Sequence, residues 1–510
     1  MQDSSDREPA CRLQVQFLQS YKARMAISEQ TFYLDPESGD TLQHQIQKMV
    51  IEGVLSGRLR PGDKMPSSRR LATHLGVSRI TVTLAYTELV SNDYLDSQGR
   101  SGYFISANAP RPPNFRKQAP AEIHESVDWA KVLPTRQTTE LGPVRPENWR
   151  DYPYPFIYGQ ADARLFDHQN WRLCALQALG QRDFAALTSD YYETDDSQLI
   201  EFIIRHILPR RGIAARPEQV LLTLGAQNAL WMTAQLLLTQ RRLAALENPC
   251  YPGLRQVLQQ TRCHSLVLNV DDEGLPVERL DASVDVVFAT PSHHSPTNAT
   301  MPLDRRQDLL RRARDNDFLI VEDDYEFEIS FTRAPSPALK SMDQEGRVIY
   351  IGSFSKSLFP GLRLGFLVGS EAFVREARAL RASVLRHPPG HIQRTAAYFL
   401  SMGHYDAQIA RIGRAYAERR RVMQDALAEN GMAPLGPSVQ GGSSFWMKAP
   451  EGVNTTELSE RLRSDGVIIE PGASFFAPEQ NEHRFYRLAY SSIQPKAIPE
   501  GIRRLAAALS

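Results

Sequence analysis

From about Tyr154 to Ser510, short apolar runs alternate with longer helical stretches, and this alternation constrains the fold more than any other feature of the chain. The runs are Val220-Leu221-Leu222, Val286-Val287-Phe288, Phe318-Leu319-Ile320-Val321 and Val348-Ile349-Tyr350-Ile351. A strand that is apolar without alternation needs cover on both of its faces. Such strands, each followed by a helix, predict an α/β architecture with a mostly parallel central sheet between helical layers.

The remainder of the chain has a different texture. With 510 residues there is more sequence than one core can use, and three regions precede the α/β one or lead into it. Residues 1–40 are polar with little periodicity and are expected to be a mobile extension, within which Met25 offers an alternative start. Residues 41–106 carry compact helical patterns that end in a hairpin-like segment. Residues 107–153 hold seven prolines between Pro110 and Pro146, the composition of a semi-extended spacer of up to about 3.1 Å per residue. Residues 154–510 are then the large domain, with a small C-terminal subdomain.

Composition excludes more than it identifies. There is no run of about 18 apolar residues that would span a bilayer. The start, Met1-Gln2-Asp3-Ser4-Ser5-Asp6, is polar and acidic, unlike a secretory signal, so a cytoplasmic location is expected. The four cysteines, Cys11, Cys174, Cys250 and Cys263, form no CxxC pair, which argues against a metal site or a disulfide framework. Net charge is zero, and that gives no basic footprint for nucleic acid. Locally, however, residues 41–105 carry eight Lys/Arg against five Asp/Glu, an excess that permits DNA binding without requiring it.

In the N-terminal module, Leu42, Ile46, Met49, Val50 and Val54 recur at helical spacing. Gly57 and Pro61-Gly62 stop that helix. Ser67 then caps a second helix, Gly76 supplies a turn, and Ser78 caps a third whose buried stripe is Val82, Ala85, Tyr86 and Leu89. Helix, short glycine turn, helix is a helix-turn-helix pattern. Tyr94-Leu95, Gly99-Arg100-Ser101-Gly102 and Tyr103-Phe104-Ile105 read as two strands and their turn, a wing. The run MPSSRRLATHLGVSRITVTLAYTELVSNDYLDSQGRSGYFI resembles the winged helix of GntR-type regulators. The resemblance implies that Arg69, Arg79 and Thr81 face double-stranded DNA, with Arg100 or Gly102 at the wing tip, the start of the third helix lying in the major groove.

Four segments of the large domain carry chemistry. After the strand pattern at Tyr350-Ile351 comes Ser353-Phe354-Ser355-Lys356-Ser357-Leu358-Phe359-Pro360-Gly361-Leu362-Arg363. A lysine among small hydroxyl residues and followed by an arginine suits a Schiff-base lysine beside a phosphate pocket. Val321-Glu322-Asp323-Asp324-Tyr325 ends an apolar strand, where a carboxylate can hold a proton on a ring nitrogen and a tyrosine two residues on shares its face. Thr223-Leu224-Gly225-Ala226-Gln227-Asn228-Ala229 runs from strand through glycine into helix, offering N–H groups to phosphate. Glu247-Asn248-Pro249-Cys250-Tyr251-Pro252-Gly253 puts an aromatic ring on a loop after another strand.

In order, spacing and type these segments resemble the fold-type I aminotransferase domain, whose cofactor is pyridoxal 5'-phosphate. The resemblance implies the internal aldimine on Lys356, Asp323 on the ring nitrogen, Tyr325 on the ring hydroxyl and Tyr251 stacked on the ring. It gives the phosphate to Gly225, Ala226, Gln227, Ser353, Ser355 and Arg363. Thr290-Pro291-Ser292-His293-His294-Ser295-Pro296-Thr297 aligns with a loop that usually reads Asn-Pro-Thr-Gly, with Asn298 in place of the glycine. Phe485-Tyr486-Arg487-Leu488-Ala489-Tyr490 resembles the strand whose arginine clamps a substrate carboxylate, which makes Arg487 the effector anchor.

A GntR winged helix joined to an aminotransferase-like domain is similar to the MocR subfamily of regulators. That resemblance implies a homodimer that senses an amino compound through external aldimine formation and controls genes of its catabolism or of vitamin B6 metabolism. Ectoine-derived diamino acids, taurine and γ-aminobutyrate are candidate effectors. Two other readings fit the sequence. A genuine aminotransferase with an accessory DNA-binding domain would keep Lys356, Asp323 and Arg487, as this chain does. A cofactor-free dimerisation scaffold would be marked by loss of the lysine or the aspartate, and neither is lost.

Overall fold

The computed structural model describes residues 26–110, 126–132 and 145–510, apart from 161, 191, 327, 332–335, 437–440 and 481. They fall into two compact units, one within Met1–Pro134 and one within Thr135–Ser510. Of the expected N-terminal extension, residues 1–25 lie outside the described residues, as do 111–125 and 133–144 of the expected linker.

The first unit is built on three helices, α1 (Leu42–Leu55), α2 (Ser68–Leu75) and α3 (Arg79–Ser91). Each start is fixed by a side-chain oxygen that satisfies an otherwise unpaired N–H. Thr41 accepts from His44 N, Ser67 from Arg70 N, and Ser78 from Thr81 N. Gly76 ends α2 with φ +68°, a left-handed conformation that a glycine enters without a Cβ clash. Strands β1 (Leu95–Ser97) and β2 (Tyr103–Ile105) pair antiparallel as the wing, Leu95 opposite Ile105. Val82, Ala85, Tyr86 and Leu89 of α3 pack with Ile46, Val50 and Leu71 in the core.

Residues ahead of position 41 also pack on this unit. Phe32 is only 2% exposed and joins this core, with Ile27 and Leu34 packed against it. Glu29 pairs with Arg70 at 2.7 Å, and the His74 ring contacts the Phe32 carbonyl at 3.0 Å. The segment has polar spacing but supplies one large aromatic side chain, and burial of that ring outweighs its lack of periodicity. Residues at both ends of the expected linker also have packing partners. Ala109 is buried in the first unit, and Trp149 packs with Ile157 and Ile468 in the second.

In the second unit seven strands form one sheet: β3 (Val220–Thr223), β4 (Leu243–Asn248), β5 (His264–Asn269), β6 (Val286–Ala289), β7 (Leu319–Asp324), β8 (Val348–Ser353) and β9 (Gly365–Val368). Their order is β3-β9-β8-β7-β6-β4-β5. Only β9 runs antiparallel to its neighbours, so the sheet is mostly parallel, as the apolar runs require. Successive residues of one strand enter different cores. Val286, Phe288 and Val321 pack on one face, while Val287, Ala289 and Ile320 pack on the other. Continuous apolar runs in the sequence are the direct consequence of this double cover. Gly365 sits where a Cβ would come within 2.9 Å of the Gly225 Cα, which holds the start of the next helix, α4 (Ala226–Leu237), close to the sheet edge.

A smaller antiparallel sheet completes the unit, with β10 (Ser444–Lys448), β11 (Glu470–Pro471) and β12 (Phe485–Ala489) in the order β10-β12-β11. Its apolar face, including Phe445 and Leu488, packs on helices His404–Glu429 and Ile498–Leu509 through Met423 and Ile502. This is the expected small C-terminal subdomain. Among the described residues, no helix is long and apolar enough to cross a membrane.

Candidate functional site

The carboxyl end of β7 presents three consecutive acids, and strand alternation separates their roles. Glu322 accepts the backbone N–H groups of Leu339 and Lys340, each at 2.9 Å. Asp324, two residues on, accepts from Arg211 Nε at 2.7 Å and from the Tyr350 hydroxyl at 2.9 Å. Both are satisfied structural acids. Asp323 points to the opposite side, lines a cavity of about 580 Å³, and has a buried Oδ1 with no partner. Burial, with Asp324 and Glu247 nearby, raises its pKa to about 7, and Lys356 acts in the opposite sense.

Lys356 lies in the same cavity, after β8. Its Nζ is 4.0 Å from the centre of the Tyr158 ring. Burial lowers its pKa to about 8, against the pull of Glu326, Glu470 and Asp323. Gly159 is at φ +73°, a conformation glycine enters without strain, and a Cβ there would fall 2.4 Å from Nζ and push the lysine aside. An amine with a pKa near 8 is neutral in an appreciable fraction at physiological pH, the state needed to attack a carbonyl carbon.

One end of the cavity is built for an anion. Helix α4 starts at Ala226 with Gly225 as its cap residue and no side-chain cap, leaving its first N–H groups directed outward. Ser353, Ser355 and Arg363 line this end. Arg363 donates from Nη2 to the Leu224 carbonyl at 2.9 Å, and a Cβ on Gly225 would stand 3.3 Å from that nitrogen. Gln227 donates from Nε2 to the Gly253 carbonyl at 3.2 Å, while its Oε1 is buried without a partner.

The other end is built for an acid. Arg487 donates from Nε to Glu470 at 2.7 Å. Its Cζ is 3.7 Å from the centre of the Tyr158 ring and 4.7 Å from that of Phe475. Burial opposes the guanidinium charge, and Glu470 more than offsets it. Tyr325 is on the same side of β7 as Asp323 and also lines the cavity; burial and Glu326 raise its pKa. Tyr251 caps the helix Pro252–Thr261 and is 40% exposed, its ring over Gly253, where a Cβ would come within 2.6 Å of it. The structure therefore brings Lys356, Asp323, Tyr325, Tyr251, Ala226, Gln227, Ser353, Ser355, Arg363 and Arg487 around one cavity, with Gly225 immediately behind Arg363.

Sequence reasoning gave no site role to three groups. Glu470 faces Arg487 only through the register of β11 on β12, a pairing 17 residues apart in the chain. Glu326 donates nothing to the motif read from β7, yet it is 2% exposed, accepts from Ser443 Oγ at 2.5 Å, and has a buried Oε2 without a partner. Tyr158 is shared by Lys356 and Arg487, nearly two hundred residues from the first of them in sequence. In the loop after β6, Asn298 adopts φ +60° and donates to the Ser444 carbonyl at 2.6 Å. It is thus a residue that tolerates the left-handed region standing where the aligned glycine would. His293 and His294 are buried, with pKa values lowered by burial to about 4 and about 3, and only Ser295 of this loop reaches the cavity lining.

A larger cleft of about 810 Å³ is lined by Asp195, Ile200, Ile204, Val374 and Arg378. In it Arg378 pairs with Asp195 at 2.8 Å, and its lining carries no lysine, cysteine or histidine. Among the described residues no group of three or more His, Cys, Asp or Glu side chains is placed to hold a metal ion. In the first unit Arg69, Arg79 and Arg100 are exposed, Thr81 lies in the first turn of α3, and Gly102 stands at the wing turn with φ +98°.

The orphan Asp323 carboxylate, the uncapped helix start beside Arg363, and the lysine whose space depends on Gly159 fit pyridoxal 5'-phosphate. A protonated ring nitrogen answers the first, a phosphate dianion the second and a carbonyl carbon the third. Comparisons agree with this chemistry. Residues 166–505 match the aminotransferase class I and II family, and residues 42–105 match the gntR family of bacterial regulatory proteins. The kynurenine aminotransferase of Pyrococcus horikoshii, solved with PMP, superposes with a TM-score of 0.66 at 26% identity, covering 75% of this chain and 98% of that one. The HTH-type transcriptional regulator TauR of Rhodobacter capsulatus is 58% identical over 95% of this chain and 100% of its own length. The probable rhizopine catabolism regulatory protein MocR of Rhizobium meliloti is 28% identical over 93% and 95%. A DNA-reading module of one family and a cofactor domain of another, aligned end to end with proteins of the same two-part design, place the chain in the MocR subfamily of GntR-type transcriptional regulators.

Proposed function

We propose that this regulator senses a small amino compound bearing an acid group, and that occupancy of its pyridoxal-phosphate site changes how its winged helices hold promoter DNA. The observation that carries this reading is the shared use of Tyr158. Lys356 Nζ is 4.0 Å and Arg487 Cζ 3.7 Å from the centre of that one ring, so an amine-reactive point and an acid anchor stand a small molecule apart.

Bound there, the cofactor supplies an electrophilic carbon for primary amines. Everything else in the reading is done by the chain. Asp323 would accept the ring N–H, Tyr325 would face the ring hydroxyl, Tyr251 would stack, and Ser353, Ser355, Arg363 and the start of α4 would hold the phosphate. Arg487 offers its outer edge to the ligand acid. With Arg487 holding the ligand acid and the amine directed to the side of Lys356, the site would select amino acids and their relatives. The ligand shifts DNA binding to the extent that it prefers one of two conformations. A homodimer acting in the cytoplasm completes the reading. Leu173, Leu176 and Phe184 on helices His168–Ala178 and Gln181–Leu187, with Leu179 at the end of the first, are each more than half exposed and supply apolar surface for a second copy.

The test is the visible absorption of the protein reconstituted with pyridoxal phosphate, beside Lys356→Ala, titrated with taurine, γ-aminobutyrate and diamino acids. A band present in the parent, absent in the variant and shifted by one amine supports the reading and nominates the effector. No band in either protein overturns it. Retention of Lys356, Asp323 and Arg487 in one cavity also supports a residual transamination half-reaction. Steady-state turnover with an amino donor and a keto acid would move the assignment to an aminotransferase with an accessory DNA-binding domain.

A further inference from the structure

The outward side of α3 is unusual for a helix expected to read base edges. Its inward stripe, Val82, Ala85, Tyr86 and Leu89, is buried. On the outward side Ile80 is 72% exposed and Leu84 51% exposed. At positions i and i+4 they form one aliphatic ridge that starts in the first turn. The polar residues around this ridge are turned to local partners. The Thr81 hydroxyl is 2.8 Å from Ser78 Oγ within the cap. Thr83 donates to the Arg79 carbonyl and Thr87 to the Thr83 carbonyl, both at 2.9 Å, and Ser91 donates to the Glu88 carbonyl at 2.8 Å. Glu88 accepts from Gln43 and Gln47 of α1. The hydroxyl donors of Thr83, Thr87 and Ser91 are therefore spent on the helix itself. Arg79 is the charged side chain left in the first turn.

In the major groove, the one apolar group that distinguishes a base pair is the C5-methyl of thymine. We propose that α3 selects its operator chiefly by apolar contact, with Ile80 and Leu84 each seated on a thymine methyl and Arg79 supplying the hydrogen-bonded contact. This rests on the reading that α3 enters the major groove. It goes further by naming the two side chains that set specificity and the base they require. Surface isoleucine and leucine gain nothing in water, whereas against thymine they bury methyl groups on both sides of the contact.

The experiment begins with selection of duplexes from a random library by the full-length protein carrying pyridoxal phosphate. Each thymidine of the selected half-site is then replaced singly by deoxyuridine, which removes the methyl and leaves the hydrogen-bonding edge intact. The expected result is a loss of about fourfold in affinity at one position for each ridge residue, the factor that follows from burying one methyl-sized group. That penalty should vanish at one position in Ile80→Ala and at the other in Leu84→Ala. Both residues are exposed, so the variants keep the core. Uniformly neutral deoxyuridine substitutions, or penalties unchanged in both alanine variants, would overturn the proposal while leaving DNA binding itself in place. Failure to enrich any duplex would overturn the groove reading on which it rests. Alanine variants that bind the selected duplex as tightly as the parent would assign the ridge to a protein partner instead.

Discussion

Glu470 and Arg487 face each other across the register of β11 and β12, and the carboxylate takes the Nε–H of the guanidinium at 2.7 Å. This fixes the orientation of the arginine in two ways. The Nε edge is consumed, and the guanidinium carbon packs 3.7 Å from the centre of the Tyr158 ring and 4.7 Å from that of Phe475. What remains for a ligand is the Nη edge, already oriented, so little side-chain entropy is lost when an acid docks.

Arg487→Ala is expected to keep the visible band of the bound cofactor and to weaken the response to an acid-bearing amine by about 10- to 100-fold, the range for a buried charge-assisted hydrogen bond. Titration of the absorption spectrum with the effector measures this. An unchanged midpoint would remove Arg487 from the acid site.

The orphan carboxylate of Asp323 predicts a conflict between stability and cofactor retention. Its pKa in the folded protein is raised to about 7, above an unfolded value of about 3.9. Between those values the unfolded chain has lost a proton that the folded chain keeps, so the cofactor-free protein loses stability as pH rises through this window. Asp323→Asn should therefore unfold later than the parent at pH 8, by about 1–3 kcal/mol, with a smaller gain at pH 5, while losing its hold on pyridoxal phosphate. Thermal unfolding of the cofactor-free proteins at the two pH values decides the matter. Glu247, raised to about 7 by burial, leaves a residual slope in the variant.

Gly225→Ala tests the phosphate end. The position has φ +83° and a Cβ there would meet Arg363 Nη2 at 3.3 Å. We expect weaker cofactor binding with the emission and circular dichroism of the folded protein retained. Equal affinity in equilibrium dialysis would show that Arg363 has room to move aside.

Phe32→Ala should destabilise the first unit by about 3–5 kcal/mol, the cost of emptying a buried aromatic site, because Phe32 is 2% exposed in its core. Calorimetry of the full chain would register a lowered transition for that unit. A transition at the parent temperature would return the segment to the status of a loose extension.

Local chemistry made much of this protein legible in advance. The caps at Ser67 and Ser78, the turn at Gly76 and the lysine segment around Lys356 are encoded within a few residues of where they act, so spacing alone exposes them. The strands at Val286 and Val348 were readable because both of their faces are buried. Tyr158 and Glu470 were not, because each reaches the site through tertiary placement or strand register. Phe32 was missed for another reason. A lone buried aromatic in a polar segment sets up no periodicity, and its burial depends on a groove formed by helices that come later in the chain.

The three acids that end β7 have a consequence for how the site tolerates change. Because side chains alternate, odd and even positions of this strand belong to different environments: Glu322 and Asp324 to backbone amides and Arg211, Asp323 to the cavity. A one-residue insertion or deletion upstream would still deliver a carboxylate to the cavity, so the local chemistry would survive a change of parity. The partners would not. A deletion would put Tyr325 opposite Arg211 and the Tyr350 hydroxyl, which would lose their carboxylate. An insertion would put Val321 where Glu322 accepts from the amides of Leu339 and Lys340. The register of this strand is therefore guarded by the buried partners of Glu322 and Asp324 together, on the side of the strand away from the cavity.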